Sequence, residues 1–317
     1  MSKRIKITLI AVGIAILLAA AAIAMFVYYK SILPPGVRDN LPYGWGKEVS
    51  VILLAGQSNA AGCSRDDYLQ MNVSPEKYAE YKKGYDNVYI NYYVSGTNES
   101  GGFVKCAARQ GEGEYAGHGF FGPELGLAER LHEAYPDRTF FIIKYAWGGT
   151  DLQGLWRAPS EGTDAGPLYQ SFVEYVESSL RYLSLKNYKV KLEAMCWMQG
   201  EADSMSDEAT ADYEKNLRQF VNSLRTEFSD YTPADGMAFV DAYIAETIFW
   251  KNYAQINASK QALADSSHIN AVINTVSCGL TVTEEPYDEP DIAHYDSLSE
   301  LKLGYLFAEE CSKFFDP

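Results

Sequence analysis

Six short apolar runs, at residues 49–55, 88–94, 139–146, 192–198, 237–243 and 269–276, set the tightest limit on how this chain can fold. Each is too short for a stable helix and too apolar for a surface strand, so each reads as a strand buried on both faces. Between and after them, residues 123–135, 166–185, 207–228, 246–264 and 297–315 carry apolar residues at helical spacing. Strand and helix in alternation imply right-handed crossovers and a mainly parallel sheet covered on both sides. With 47% hydrophobic residues in 317, the chain can bury the core of one large α/β domain.

Ahead of that pattern, residues 7–29 contain no charge, and as a helix they would extend about 34 Å, enough to cross a bilayer. Lys3, Arg4 and Lys6 precede the run, which by the positive-inside tendency keeps the N-terminus cytoplasmic and puts the rest outside the membrane. A cleaved signal peptide is the rival reading, because Ala22-Ile23-Ala24 has the small-x-small form of a cleavage site. Met25 to Tyr29 continue the apolar run past that site and favour an anchor. The expected organisation is therefore an anchor over 1–30, a Pro- and Gly-containing stalk over 31–48 and a catalytic domain over 49–317. The domain is expected to sit outside the cell membrane, or to be secreted if the leader is cleaved.

Beyond Lys30 the chain holds 23 basic and 42 acidic residues, a formal charge of −19. Such a field repels nucleic acid and suits a neutral polysaccharide better. The five cysteines are an odd number without zinc-type spacing, so no metal site is expected, and nothing in the pattern calls for a cofactor. In an oxidising compartment Cys63 and Cys106, both in loops, are the expected disulfide pair.

Three strand ends carry polar, glycine-rich tails: Gly56-Gln57-Ser58-Asn59, Gly148-Gly149-Thr150-Asp151 and Gln199-Gly200-Glu201-Ala202-Asp203. In parallel sheets ligands bind beyond the carboxyl ends of the strands, so these tails mark one rim. Ser58, where a buried strand turns outward, is a candidate nucleophile, although a serine there also suits a helix N-cap. Near the C-terminus Asp291 precedes His294 by three residues. A carboxylate at that spacing can accept the Nδ1 proton and leave Nε2 free to take a serine proton. His132 and His268 read as surface or packing residues, and His118 lies in a glycine-rich loop without a comparably spaced carboxylate.

Together, Gly56-Gln57-Ser58-Asn59, Ala146-Trp147-Gly148-Gly149-Thr150, Trp197-Met198-Gln199-Gly200-Glu201 and Asp291-Ile292-Ala293-His294 resemble the conserved blocks of the SGNH hydrolases. More narrowly they look like the sialate O-acetylesterase and acetylxylan esterase branch, carbohydrate esterase family six. The run from His118 to Gly126 is also similar to that branch, and the resemblance covers residues 49–315.

The resemblance implies a flavodoxin-like three-layer α/β/α sandwich around a five-stranded, mainly parallel sheet. It also implies a serine O-acetylesterase acting on acetylated xylan-type glycan or sialic acid through an acyl-enzyme. In that reading Ser58 attacks, His294 moves the proton and Asp291 orients the ring. The oxyanion donors are then the Ser58 amide, a glycine amide, with Gly149 preferred to Gly148, and the Gln199 side chain. Gln57, Asn59, Thr150, Trp156, Arg157 and Glu201 are expected to face substrate, with Glu201 an alternative orienter of His294. Arg65 and Arg109 are candidates for meeting a substrate carboxylate. A lipase or thioesterase on the same fold, and a catalytically silent glycan-binding surface protein, remain the competing readings.

Overall fold

The computed structural model describes residues 3–33, 37–115 and 117–315. All six apolar runs enter one sheet as parallel strands: β1 (Glu48–Gly56), β2 (Val88–Val94), β3 (Phe140–Ala146), β4 (Lys189–Met198), β5 (Ala238–Ala242) and β6 (Asn270–Ile273). Their order across the sheet is β6-β5-β4-β1-β3-β2. Two-residue strands, Asn98–Glu99 and Val104–Lys105, pair antiparallel with β2 and bring the sheet to eight. The five-stranded expectation is thus corrected: every buried run pairs, and a loop closes the β2 edge that would otherwise be left open.

From β1 the chain winds to one side through β2 and β3, then to the other through β4, β5 and β6. The reversal leaves β1 between β3 and β4, and a crevice opens at such a switch point, outside the carboxyl ends of those three strands. The strand tails carrying Ser58, Gly148-Gly149 and Gln199 all leave from there.

Six helices exceed ten residues: α1 (Lys3–Ile32), α2 (Glu124–Ala134), α3 (Pro167–Leu185), α4 (Asp207–Glu227), α5 (Tyr253–Ala264) and α6 (Ser297–Ser312). Strand alternation assigns the sheet's two faces. On β4 the Cys196 sulfur meets Cys311 of α6, while the next ring, Trp197, packs on Phe220 of α4 at 4.6 Å. On β3 Lys144 pairs with Glu124 of α2, and Tyr145 packs toward Phe172 of α3. Helices therefore cover both faces, as side chains of period two require. Pro167 opens α3 at its first turn, and the Ser206 side chain caps α4 by accepting from the Ala209 amide.

Three expectations shift. Helix α5 starts at Tyr253 rather than near 246, because the preceding residues turn to bury Trp250, and Asn252 bonds Asp207. Helices Asp66–Asn72 and Pro75–Lys83 went unread, being short and rich in charge and tyrosine. Cys63 and Cys106 are not joined. The first sulfur faces Glu112 at the site mouth, and the second is buried against the Glu124 carbonyl.

Helix α1 is long and apolar enough to cross a membrane over Val12–Ile32, and none of that window is buried. Its successor at 37–47 runs along the domain: Leu41 is buried, and the amides of Asn40 and Leu41 donate to the Tyr182 hydroxyl.

Candidate active site

Strand β1 ends on Gly56, whose φ of 142° and close approach to the Met198 carbonyl leave no room for a side chain. That approach locks the end of β1 against β4 and sends the chain directly into the turn of helix Ser58–Ala61. Ser58 stands at its start, nearly buried, at the floor of a 380 Å³ pocket. Gln57, Cys63, Glu112, Gly148, Gly149, Phe249, Trp250, Ala293 and His294 form its walls.

His294 reaches this pocket from a loop folded by its own aspartate. One oxygen of Asp291 accepts from the Ala293 amide at 3.0 Å, and the other lies 2.6 Å from His294 Nδ1. Burial pushes the Asp291 carboxyl up, but hydrogen bonding to His294 and electrostatic attraction between the two groups outweigh it and leave the carboxyl below its usual value. Asn59 holds the loop from beneath: its oxygen accepts from the Tyr295 amide, and its nitrogen donates to the Ala293 carbonyl and to Glu201. Ser64 Oγ donates to the Tyr295 carbonyl from the other side. Ser58 and His294 line one pocket without a direct hydrogen bond, a gap that commonly closes only when substrate binds.

Donors for a developing oxyanion follow from which N–H groups are left over. The Ser58 and Gly149 amides meet no acceptor among the described residues, whereas the Gly148 amide donates to Ser95 Oγ at 3.0 Å. Gly149 has a φ of 68°, a conformation that favours glycine, and open space where a side chain would stand. Gln57 Oε1 accepts from the Gly200 and Ala202 amides, which fixes the carboxamide and leaves its Nε2 beside the pocket without a partner among the described residues.

Gln199 departs from expectation. It is fully buried, and its Nε2 donates both hydrogens elsewhere, to the Thr150 carbonyl at 2.9 Å and to Asp203 at 2.5 Å. Its oxygen accepts from the Tyr213 hydroxyl. No hydrogen remains for an oxyanion.

Several residues expected at the substrate belong to the scaffold instead. Trp156 is fully buried, donates Nε1 to Thr150 Oγ1 and packs edge-on to Trp197. Thr150 in turn donates to the Trp147 carbonyl, and Arg157 turns outward to the Asp164 carbonyl. Asn59 and Glu201 are buried beneath the histidine loop, and Glu201 Oε1 accepts from Asn59 Nδ2 rather than from the imidazole. Arg65 lies on Asp67 and Arg109 on Asp66, so neither stands ready for a substrate carboxylate. Asp66, Asp67 and His118 cluster closely enough to suggest metal ligands, yet both carboxylates are already held by guanidinium groups.

Sequence reasoning missed Glu112, Phe249 and Trp250. The flanking glycines of Gly111-Glu112-Gly113 were the available signal: the Gly111 carbonyl accepts from Asn98, and Glu112 is brought to within side-chain reach of Gly148.

Comparison with known proteins places the chain in a family. The family model described as carbohydrate esterase, sialic acid-specific acetylesterase, matches residues 48–313. A solved protein from Arabidopsis thaliana is similar at a TM-score of 0.62 and 16% identity, covering 84% of this chain and 100% of that one. NanS is similar at 0.59 and 18%, covering 85% and 98%. At such identities the likeness speaks for the fold alone. Comparison with curated proteins gave no match.

Proposed function

The chain belongs to the carbohydrate esterase family of sialic acid-specific acetylesterases, and from that premise we propose that it removes O-acetyl groups from glycans through an acetyl-enzyme on Ser58. Ser58 Oγ attacks the acetyl carbonyl while His294 Nε2 takes its proton, and Asp291 holds the imidazole in the tautomer that permits this. The oxyanion is met by the amides of Ser58 and Gly149 and by Gln57 Nε2, the unpartnered donors at the pocket. His294 then returns the proton to the departing sugar oxygen. Water, deprotonated by the same ring, attacks the acetyl-serine, and His294 hands that proton to Ser58 Oγ as acetate is released.

The observation that carries this reading is the Asp291–His294 contact opening onto the pocket that Ser58 floors. Acetate release from acetylated methyl xyloside tests it. Ser58→Ala is expected to lower kcat by about 10⁵–10⁶-fold while the protein stays folded. Equal rates in wild type and variant would remove Ser58 from the reaction.

The proposed setting is the outer face of a cell membrane, with 1–30 as anchor, 31–48 as linker and 49–317 as catalytic domain. The apolar, unburied Val12–Ile32 window and the cations before it support an anchor. Retention in the membrane pellet after alkaline carbonate extraction is expected. A soluble mature chain beginning just after Ala24 would contradict it.

A further inference from the structure

The loop between β5 and α5 brings two aromatic side chains, Phe249 and Trp250, into the walls of the catalytic pocket and treats them differently. Trp250 is nearly buried, whereas Phe249 is 48% exposed and Ile248 beside it is 98% exposed. Folding gains little from apolar side chains left in water, so a pair of them at the rim of a pocket that holds Ser58 and His294 marks a surface for what binds there. Trp156, the ring expected to meet a sugar, is buried in the scaffold and leaves that role unfilled.

The loop is braced so that Phe249 keeps its place. At its start the Ile244 amide donates to Asn257 Oδ1, and the Ile244 carbonyl accepts from Asn257 Nδ2. At its end the Asn252 amide donates to the Ser204 carbonyl. Between these anchors Thr247 closes a turn, its hydroxyl accepting from the Phe249 amide and its carbonyl from the Trp250 amide. The buried Trp250 ring then meets Phe249 edge-on, with centroids 4.5 Å apart. A ring propped in this way loses little freedom when a ligand lies on it. The same loop neighbours the catalytic one, because the Tyr295 hydroxyl, next to His294, donates to the Tyr243 carbonyl where β5 ends.

We infer that Phe249 is the stacking surface for the sugar ring that carries the acetyl group, with Trp250 as the positioning residue that props it. The inference rests on the acetylesterase reading and names the residue that makes that site selective for carbohydrate. A pyranose has a C–H face that is apolar and a rim of hydroxyls, and a flat aromatic ring matches the first while leaving the second to water and polar groups. The walls then divide the ester between them. The donors at Ser58, Gly149 and Gln57 meet the acetyl carbonyl, and the alcohol oxygen lies at His294, on whose side Phe249 stands. At 380 Å³ the pocket exceeds what an acetyl group needs and falls in the range of small-molecule sites.

Two acetate esters of alkyl alcohols test the assignment: acetylated methyl xyloside, which has the ring, and ethyl acetate, which does not. The readout is the ratio of their kcat/KM values, in which any loss of folded enzyme cancels. Wild type is expected to favour the xyloside. Phe249→Ala should cut the ratio by about tenfold, chiefly through a raised KM for the xyloside, since stacking acts on bound substrate and transition state alike. Phe249→Tyr keeps the ring and should keep the wild-type ratio, while Phe249→Leu, apolar but not flat, should fall near the alanine variant. A ratio that Phe249→Ala leaves unmoved, or a leucine variant as selective as wild type, overturns the stacking role while acetate release leaves the acetylesterase reading standing. A Phe249→Ala variant that changes the preference between ethyl acetate and ethyl butyrate, and not the sugar ratio, overturns it too, because the ring then borders the acyl group. A wild type inactive toward both acetates rejects the acetylesterase reading and the stacking role with it.

Discussion

Two glutamines stand at the ends of neighbouring strands, Gln57 after β1 and Gln199 after β4, and their amides lead opposite lives. Gln57 has its oxygen pinned by two backbone amides and its nitrogen left toward the pocket. Gln199 has every polar atom occupied, by Thr150, Asp203 and Tyr213. A side chain contributes to chemistry through the hydrogen bonds it has not yet made. At this rim, position in a sequence block says less than the surplus of donors. The same division runs through much of the site: Ser58, Gly149 and His294 face the pocket with capacity to spare, while Asn59, Thr150 and Trp156 spend theirs holding the loops in register.

The sharpest way to break this division is at its seam, where Asp291 serves both the loop and the ring. Asp291→Asn should lower kcat by about 10⁴-fold, since the amide favours the wrong imidazole tautomer. A variant near wild type in steady-state acetate release would mean that another group orients His294.

Next in size comes the contrast between the glutamines. Gln57→Ala is expected to cost about 10²–10³-fold in kcat with KM little changed. Gln199→Ala should leave kcat of the folded protein within about tenfold, because its loss is felt as stability, about 1–3 kcal/mol from buried groups left without partners. Kinetics and urea denaturation on the same two variants separate these outcomes, and an exchange of the two phenotypes would reverse the assignment.

A smaller effect concerns pH. Burial raises Asp203 to about 6, against the amides of Leu152 and Gln153 and the Gln199 side chain, which favour its ionised form. Because the folded state holds the proton more tightly than the unfolded chain, this group's contribution is fully present below about pH 4 and is lost as pH rises through 6. Unfolding midpoints compared between wild type and Asp203→Asn should diverge across that window. Parallel curves would show that Asp203 does not titrate there.

Much of this was legible in advance where the signal was local. The six buried strands announced themselves as apolar runs, and Asp291 and His294 share a short loop whose spacing already fits a hydrogen bond. What escaped depends on partners far away in the chain. The fate of the Gln199 amide is decided by the Thr150 carbonyl 49 residues earlier, and the burial of Trp156 by Trp197 and Phe172. Glu112 joins the pocket only because its loop folds back over Gly62 and Gly148. The five-strand count failed for another reason: it came from family likeness, while the chain's own six apolar runs had already indicated the larger sheet.

The central claim, that Ser58 is a nucleophile served by His294, meets its most direct test in covalent labelling. A fluorophosphonate probe applied to the folded protein, followed by peptide mapping, should place a single adduct on Ser58. Labelling should be abolished by Ser58→Ala and slowed by His294→Ala. A folded protein that takes up no probe, or carries the adduct on another residue, would contradict the account.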